Sequence, residues 1–242
     1  MELIELFALG FAVYVVASAV QAAVGFGMTV VAVPVLIPLV GAVPAVVSSV
    51  LVSLALCGRV WWRERAHVDT VLTRRLSLPA LLGLPAGAAL LLAVSERQLA
   101  LLVAAAMLLG VIVVAAVERP RIGPFGQRIG GLASGALLTS TGLNGPALVL
   151  TVQGTDLEPR QQRATLQAAF VVQDVVALGL FLALGQVGQT ALVIGVAGAL
   201  GAPLGWLIGD KVFSRLSPRR FRRAVQATLA VSALGSIYSA TK

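Results

Sequence analysis

Gln21 and Thr29 flank a break at Gly25-Phe26-Gly27, and Ser140, Thr141 and Asn144 crowd a second break, Thr141-Gly142-Leu143-Asn144-Gly145-Pro146. Amides and hydroxyls beside an interrupted apolar helix suit an oxyanion, because a helix that starts at such a break presents unpaired N–H groups and a partial positive charge. Each such helix start stabilises an anion by about 0.3–1 kcal/mol, and up to roughly 2 kcal/mol when partly buried. Asn144 followed by Gly145-Pro146 is favourable helix-start chemistry. The candidate binding residues are therefore Gln21, Gly25, Phe26, Gly27, Thr29, Ser140, Thr141, Gly142, Asn144, Gly145 and Pro146.

A third group lies in one apolar segment, at Gln167, Gln173 and Asp174. Asp174 is the only acid well inside a predicted span, and an unpaired carboxylate at that depth costs several kcal/mol, so it must be partnered or protonated. Gln167 and Asp174, one heptad apart, share a helix face that suits a pathway lining, with Asp174 as a proton-coupling group. A hydrogen-bonded structural carboxylate fits the same residues equally well. Other chemistry is poorly represented: there is no HExxH pair, GxSxG elbow, Walker loop or cysteine cluster, which argues against catalysis and against a resident metal or cofactor. The single cysteine, Cys57, reads as packing, and His67 beside Asp69 reads as a solvated loop residue.

These residues are positioned by segments that avoid water. Hydrophobic residues make up 58% of the 242-residue chain, charged ones 12%, and the mean hydropathy is +0.96, which marks an all-α, polytopic membrane bundle. Predicted spans are Ala42–Trp62, Ser77–Val94, Gln98–Val117, Ala164–Leu184, Gln189–Gly209 and Arg222–Tyr238, with broken units over Leu3–Val40 and Ile129–Val152. The net charge of +8 sits in short loops without interleaved aromatics, a topology signal rather than a nucleic-acid surface. No Lys or Arg precedes Arg59, so the first segment reads as mature structure despite Ala17-Ser18-Ala19.

The two halves, 1–120 and 121–242, overlay at a shift of roughly 117 to 125 residues. Gly25-Phe26-Gly27 falls on Gly142-Leu143-Asn144, Gly83–Gly87 falls on Gly201–Gly205, and Gly110 falls near Gly235. Small-xxx-small spacing at Gly83/Gly87, Gly131/Gly135 and Gly201/Gly205 predicts close helix contacts. Equivalent loops carry opposite charge bias: Arg63, Arg65, Arg74 and Arg75 follow one span, while the matching Gly185–Gly188 loop has none, and Lys211, Arg215, Arg219 and Arg220 match the nearly neutral Ser95–Arg97. That is the signature of two inverted repeats, each with three spanning helices and one broken or re-entrant hairpin, basic loops inside and both termini outside. Hydropathy alone also allows eight full crossings.

Ala23-Val24-Gly25-Phe26-Gly27 with Pro34 downstream, Gly131-Leu132-Ala133-Ser134-Gly135, and Gly142-Leu143-Asn144-Gly145-Pro146, together with the duplicated architecture, resemble the sulfite exporter TauE/SafE family over nearly the whole chain. The resemblance implies a permease for sulfur-containing anions such as sulfite or sulfonates in a bacterial inner membrane. Asn144 departs from a motif that is often richer in glycine, which implies a different hydrogen-bond demand at the site. The expected partners are thus a small anion, H⁺ or Na⁺ as coupling ion, and the lipid bilayer. An anion channel and a non-transporting membrane assembly protein are the rival readings, and oligomeric state is left open.

Overall fold

The computed structural model describes residues 2–24, 27–95, 97–99, 101, 102, 104, 105 and 122–213. Among them the longer helices are α1 (Leu3–Val24), α2 (Met28–Val40), α3 (Ala42–Glu64), α4 (Thr70–Ala93), α5 (Pro124–Thr141), α6 (Gly145–Gln153), α7 (Pro159–Ala183) and α8 (Gln189–Phe213), and the described residues contain no strand. Five of these helices carry stretches long and apolar enough to cross a membrane, so the chain is a multi-pass membrane protein. The predicted spans Gln98–Val117, beyond its opening residues, and Arg222–Tyr238 lie outside the described residues, as do Gly25, Phe26, Gly110 and Gly235.

Helix ends extend past the hydropathy boundaries where polar residues cap them. Helix α4 begins at Thr70, not Ser77, because Asp69 Oδ1 accepts from the Leu72 N–H at 2.8 Å. Helix α7 begins at Pro159, not Ala164, where Gln161 Oε1 accepts from the Glu158 N–H at 3.1 Å. The opening two turns of both helices carry arginines that hydropathy excludes from a span. Helices α2 and α6, 13 and nine residues long, reach about 20 and 14 Å, too short to cross about 30 Å of hydrocarbon.

Two glycine-lined contacts organise the bundle. On α4 and α5, a Cβ at Gly83, Gly87, Gly131 or Gly135 would meet the carbonyl oxygens of Leu132, Ala136, Leu76 and Ala80 respectively. On α1 and α8, a Cβ at Gly205 or Gly209 would meet the oxygens of Val15 and Ala19, and one at Gly201 would lie 2.8 Å from that of Phe11. Backbones approach this closely only where side chains are absent. Residue numbers rise together in both contacts, so each helix pair is parallel. The contacts also match: Gly83 against Leu132 corresponds to Gly201 against Phe11, and Gly87 against Ala136 corresponds to Gly205 against Val15, shifts of 118 residues between α4 and α8 and 121 between α1 and α5.

Polar contacts gather one set of helix ends. Glu64 at the end of α3 bonds Arg160 Nε at 2.7 Å, Asp69 N–H donates to Thr165 Oγ1 at 3.0 Å, Arg75 donates to Gln127 Oε1 at 3.3 Å, and Arg163 lies 3.6 Å from Asp210. The end of α3, the starts of α4, α5 and α7, and the end of α8 therefore share one face of the bundle. Arg65 stacks over Trp62 at 4.3 Å and Arg163 over Trp206 at 4.7 Å on the same side, as aromatic and basic side chains do at a membrane–water interface. Because α1 runs parallel to α8, the α1–α2 unit begins and ends on the opposite face, whereas the α5–α6 unit begins and ends on this one.

Where α1, α3 and α8 meet, the buried Tyr14 hydroxyl lies 2.8 Å from Ser49 Oγ and 3.2 Å from Ser48 Oγ, with its ring against Gly198. Both serines also donate to the Ala45 carbonyl. Tyr14→Phe is thus expected to cost only about 1 kcal/mol, since the serines keep a partner, measured as a small drop in the midpoint of unfolding in detergent.

Candidate functional site

The second break lies against α2, the helix that follows the first. Gly142 ends α5 in the left-handed conformation, φ 74°, with its N–H donating to Leu138 O at 2.9 Å and the Leu143 N–H donating to Leu137 O at 3.3 Å, a helix stop that requires glycine at this position. A Cβ at Gly142 would lie 3.0 Å from Val33 Cγ2 and 4.0 Å from Thr29 Cβ, both on α2. Gly27, which opens α2, has φ 106°. Thr29 and residues 138–146 are buried, and Gly27 is half-buried.

Neither second helix is capped by a side chain. Gly27 has none to offer, and Asn144, the residue before α6, makes no cap hydrogen bond. The first-turn N–H groups of α2 and α6, with Pro146 contributing none, thus have no partner within their own helices. Instead of capping, Asn144 Nδ2 donates to Gln173 Oε1 at 3.2 Å. Gln173 also donates through Nε2 to Ser134 Oγ at 3.0 Å, so one buried amide ties α5, the second break and α7 together.

Asp174, the next residue, is fully buried, and its Oδ2 accepts a 2.6 Å hydrogen bond from Ser53 Oγ on α3. Its Oδ1 has no hydrogen-bond partner, and no ion pair reaches it among the described residues. Ser53 and Asp174 are 121 residues apart, the same shift that relates α1 to α5. One turn from Ser53, Cys57 Sγ lies 3.6 Å from the serine oxygen and accepts from Gln21 Nε2 at 3.4 Å. Gln21, Cys57, Ser53 and Asp174 therefore form one chain of contacts across α1, α3 and α7. Gln167 is fully buried on α7, one heptad before Asp174.

The predicted site residues thus fall into three groups. Thr29, Gly27 and Gly142 to Pro146 lie at the junction itself, while Gly25 and Phe26 are outside the described residues. Gln21, Gln173 and Asp174 join polar chains leading to α3, α5 and α7. Ser140 and Thr141 donate their hydroxyl protons to Ala136 O at 2.6 Å and Leu137 O at 2.8 Å, leaving lone pairs rather than protons to face a ligand. Sequence reading missed Ser53 and Ser134 as polar partners and gave Cys57 a packing role only. The 121-residue separation of Ser53 and Asp174 falls within the repeat shift of roughly 117 to 125 read from the sequence, a range too broad to single out Ser53.

Neither the curated proteins nor the solved structures yield a match to this chain. A protein-family model does: the one described as "Sulfite exporter TauE/SafE" matches residues 9–235, a range that includes both breaks and both glycine-lined contacts. The chain is a membrane transporter that belongs to the sulfite exporter TauE/SafE family.

Proposed function

We propose that the protein is a secondary transporter for a sulfur-containing anion, sulfite or an organosulfonate, which binds at mid-membrane depth between the breaks at Gly25–Gly27 and Thr141–Pro146. The observation that carries this reading is Gly142 seated against Thr29 and Val33, with α2 and α6 both uncapped. Two helix starts directed at one spot supply positive potential without an intramembrane Lys or Arg, and a substrate oxyanion takes up their free N–H groups. Asn144, Thr29 and Gln21 add donors to the oxygens, and Ser140 and Thr141 turn from their own helix when an anion is bound.

The halves 1–120 and 121–242 act as inverted repeats around this site. Supporting this, α1 packs on α8 of the other half as α5 packs on α4, and the α1–α2 and α5–α6 units begin and end on opposite faces. The arginine-rich face, with Arg63, Arg65, Arg74, Arg75, Arg160 and Arg163, is cytoplasmic by the positive-inside rule, in a bacterial inner membrane. Asp174, beside its repeat mate Ser53, carries a coupling proton, and Gln167 and Gln173 line the route next to it. Asp174→Asn keeps an acceptor for Ser53 and is expected to remove the pH dependence of transport; a variant with the full pH dependence eliminates this role.

The test is flux into liposomes holding purified protein, with sulfite (kept anaerobic), thiosulfate, sulfoacetate, sulfate and a carboxylate offered under H⁺ and Na⁺ gradients. Saturable, gradient-driven accumulation of sulfite or an organosulfonate is expected. Flux that never saturates makes the protein a channel, and no flux of any sulfur anion overturns the proposed substrate class.

A further inference from the structure

We infer that the groove between the starts of α4 and α5 seats an anionic phospholipid, its phosphate on Arg74, Arg75 and Arg128 and an acyl chain along Leu78, Leu82, Ile129 and Leu132. The groove encloses about 530 Å³ and is lined by these residues together with Pro79. Its floor is apolar and outward-facing: Leu78 is 64% exposed and Leu82 76%, as expected of a surface bathed by acyl chains. The three arginines form its lip, on the face that also carries the Glu64–Arg160 pair and the tryptophans. None of them makes an ion pair among the described residues, and Arg75 donates to Gln127 Oε1 at 3.3 Å.

The fold contains an internal comparison. A second groove of about 460 Å³ lies between α1 and α8 on the opposite face, lined by Leu3, Ile4, Phe7, Leu192, Val193 and Val196. The shifts that superpose the two glycine contacts, 118 for α4 on α8 and 121 for α1 on α5, carry Arg74 onto Leu192, Arg75 onto Val193 and Arg128 onto Phe7. Packing alone therefore does not call for cations at these three positions, since aliphatic and aromatic residues serve in the matching groove. What differs is the charge at the lip. Three guanidiniums above an apolar floor at the membrane boundary complement a phosphate joined to acyl chains, and a basic pocket between membrane helices on the cytoplasmic side is a recognised lipid headgroup site. A nucleic acid or soluble peptide has nothing to place on a floor that faces hydrocarbon.

The experiment is native mass spectrometry of the full chain released from a nonionic detergent, after addition of phosphatidylglycerol, cardiolipin or phosphatidylcholine. Wild type is expected to keep phosphatidylglycerol or cardiolipin and shed phosphatidylcholine. Each basic residue near an anionic surface is worth about fivefold in affinity, so Arg74→Gln/Arg128→Gln is expected to weaken retention roughly tenfold or more, with elution volume and unfolding midpoint unchanged. Arg74→Lys/Arg128→Lys keeps the charge and is expected to retain lipid. The inference is overturned by equal retention in the glutamine variant, by equal retention of phosphatidylcholine, by displacement with inorganic phosphate alone, or by a second copy of the chain occupying the groove as a stable dimer.

Discussion

Gly135→Val is expected to remove the folded protein, whereas Gly179→Ala leaves it intact. A Cβ at Gly135 runs into the carbonyl oxygen of Ala80, with the Ala80 carbonyl carbon 2.8 Å and Cα 2.9 Å away. All three atoms are backbone, so no side chain can rotate away, and α4 and α5 must separate along the contact that Gly83, Gly87 and Gly131 also hold closed. That puts the cost at the upper end for overpacking, about 3 kcal/mol or more. Gly179 faces open space on an exposed stretch of α7, where alanine removes backbone freedom from the unfolded chain and stabilises by up to about 1 kcal/mol. Size-exclusion profiles and unfolding midpoints in detergent check both variants. Valine at Gly205, against Val15 on α1, should fail in the same way as valine at Gly135.

Gln173→Leu is expected to lower transport at least tenfold while the protein still folds. Its amide joins Ser134 on α5 and Asn144 at the second break to α7. Leucine fills similar volume but leaves the buried Asn144 amide without its acceptor, a cost of about 1–3 kcal/mol. Ser134 loses less, because its hydroxyl also donates to Gly131 O at 2.7 Å. The main effect falls on where Asn144 points, and a binding group displaced by about an ångström can reduce turnover a hundredfold. Initial flux rates at saturating substrate, normalised to folded protein, separate this from loss of stability. An unchanged rate would place Asn144 and Gln173 in the scaffold alone.

The four spans within the described residues and the glycine contacts were legible because the bilayer makes them obligatory: apolar runs near 20 residues and small residues at four-residue spacing have few other uses. Gln21, Asn144, Gln173 and Asp174 stood out for the same reason, as groups hydrocarbon penalises unless they are partnered. Serine gave no such signal. Thr151 bonds a carbonyl one turn back in its own helix, and a membrane hydroxyl looks alike whether it is self-satisfied or, like Ser53, holds a carboxyl on another helix. Ser140 and Thr141 show the converse, flanking the break yet giving their protons to their own helix. The helices begin before the predicted spans at Ser77 and Ala164 because their capping residues and opening turns are polar, where hydropathy has nothing to report.

Counterflow most directly tests the meeting of the breaks. Liposomes preloaded with unlabelled sulfite or organosulfonate are diluted into a trace of the labelled anion, comparing wild type with Gly142→Val. Valine there takes on a φ of 74° and presses against Val33 and Thr29, so it disturbs the junction and little else. Transient uptake by wild type and none by a folded Gly142→Val protein is the predicted result. Equal uptake by both contradicts a site between the two breaks.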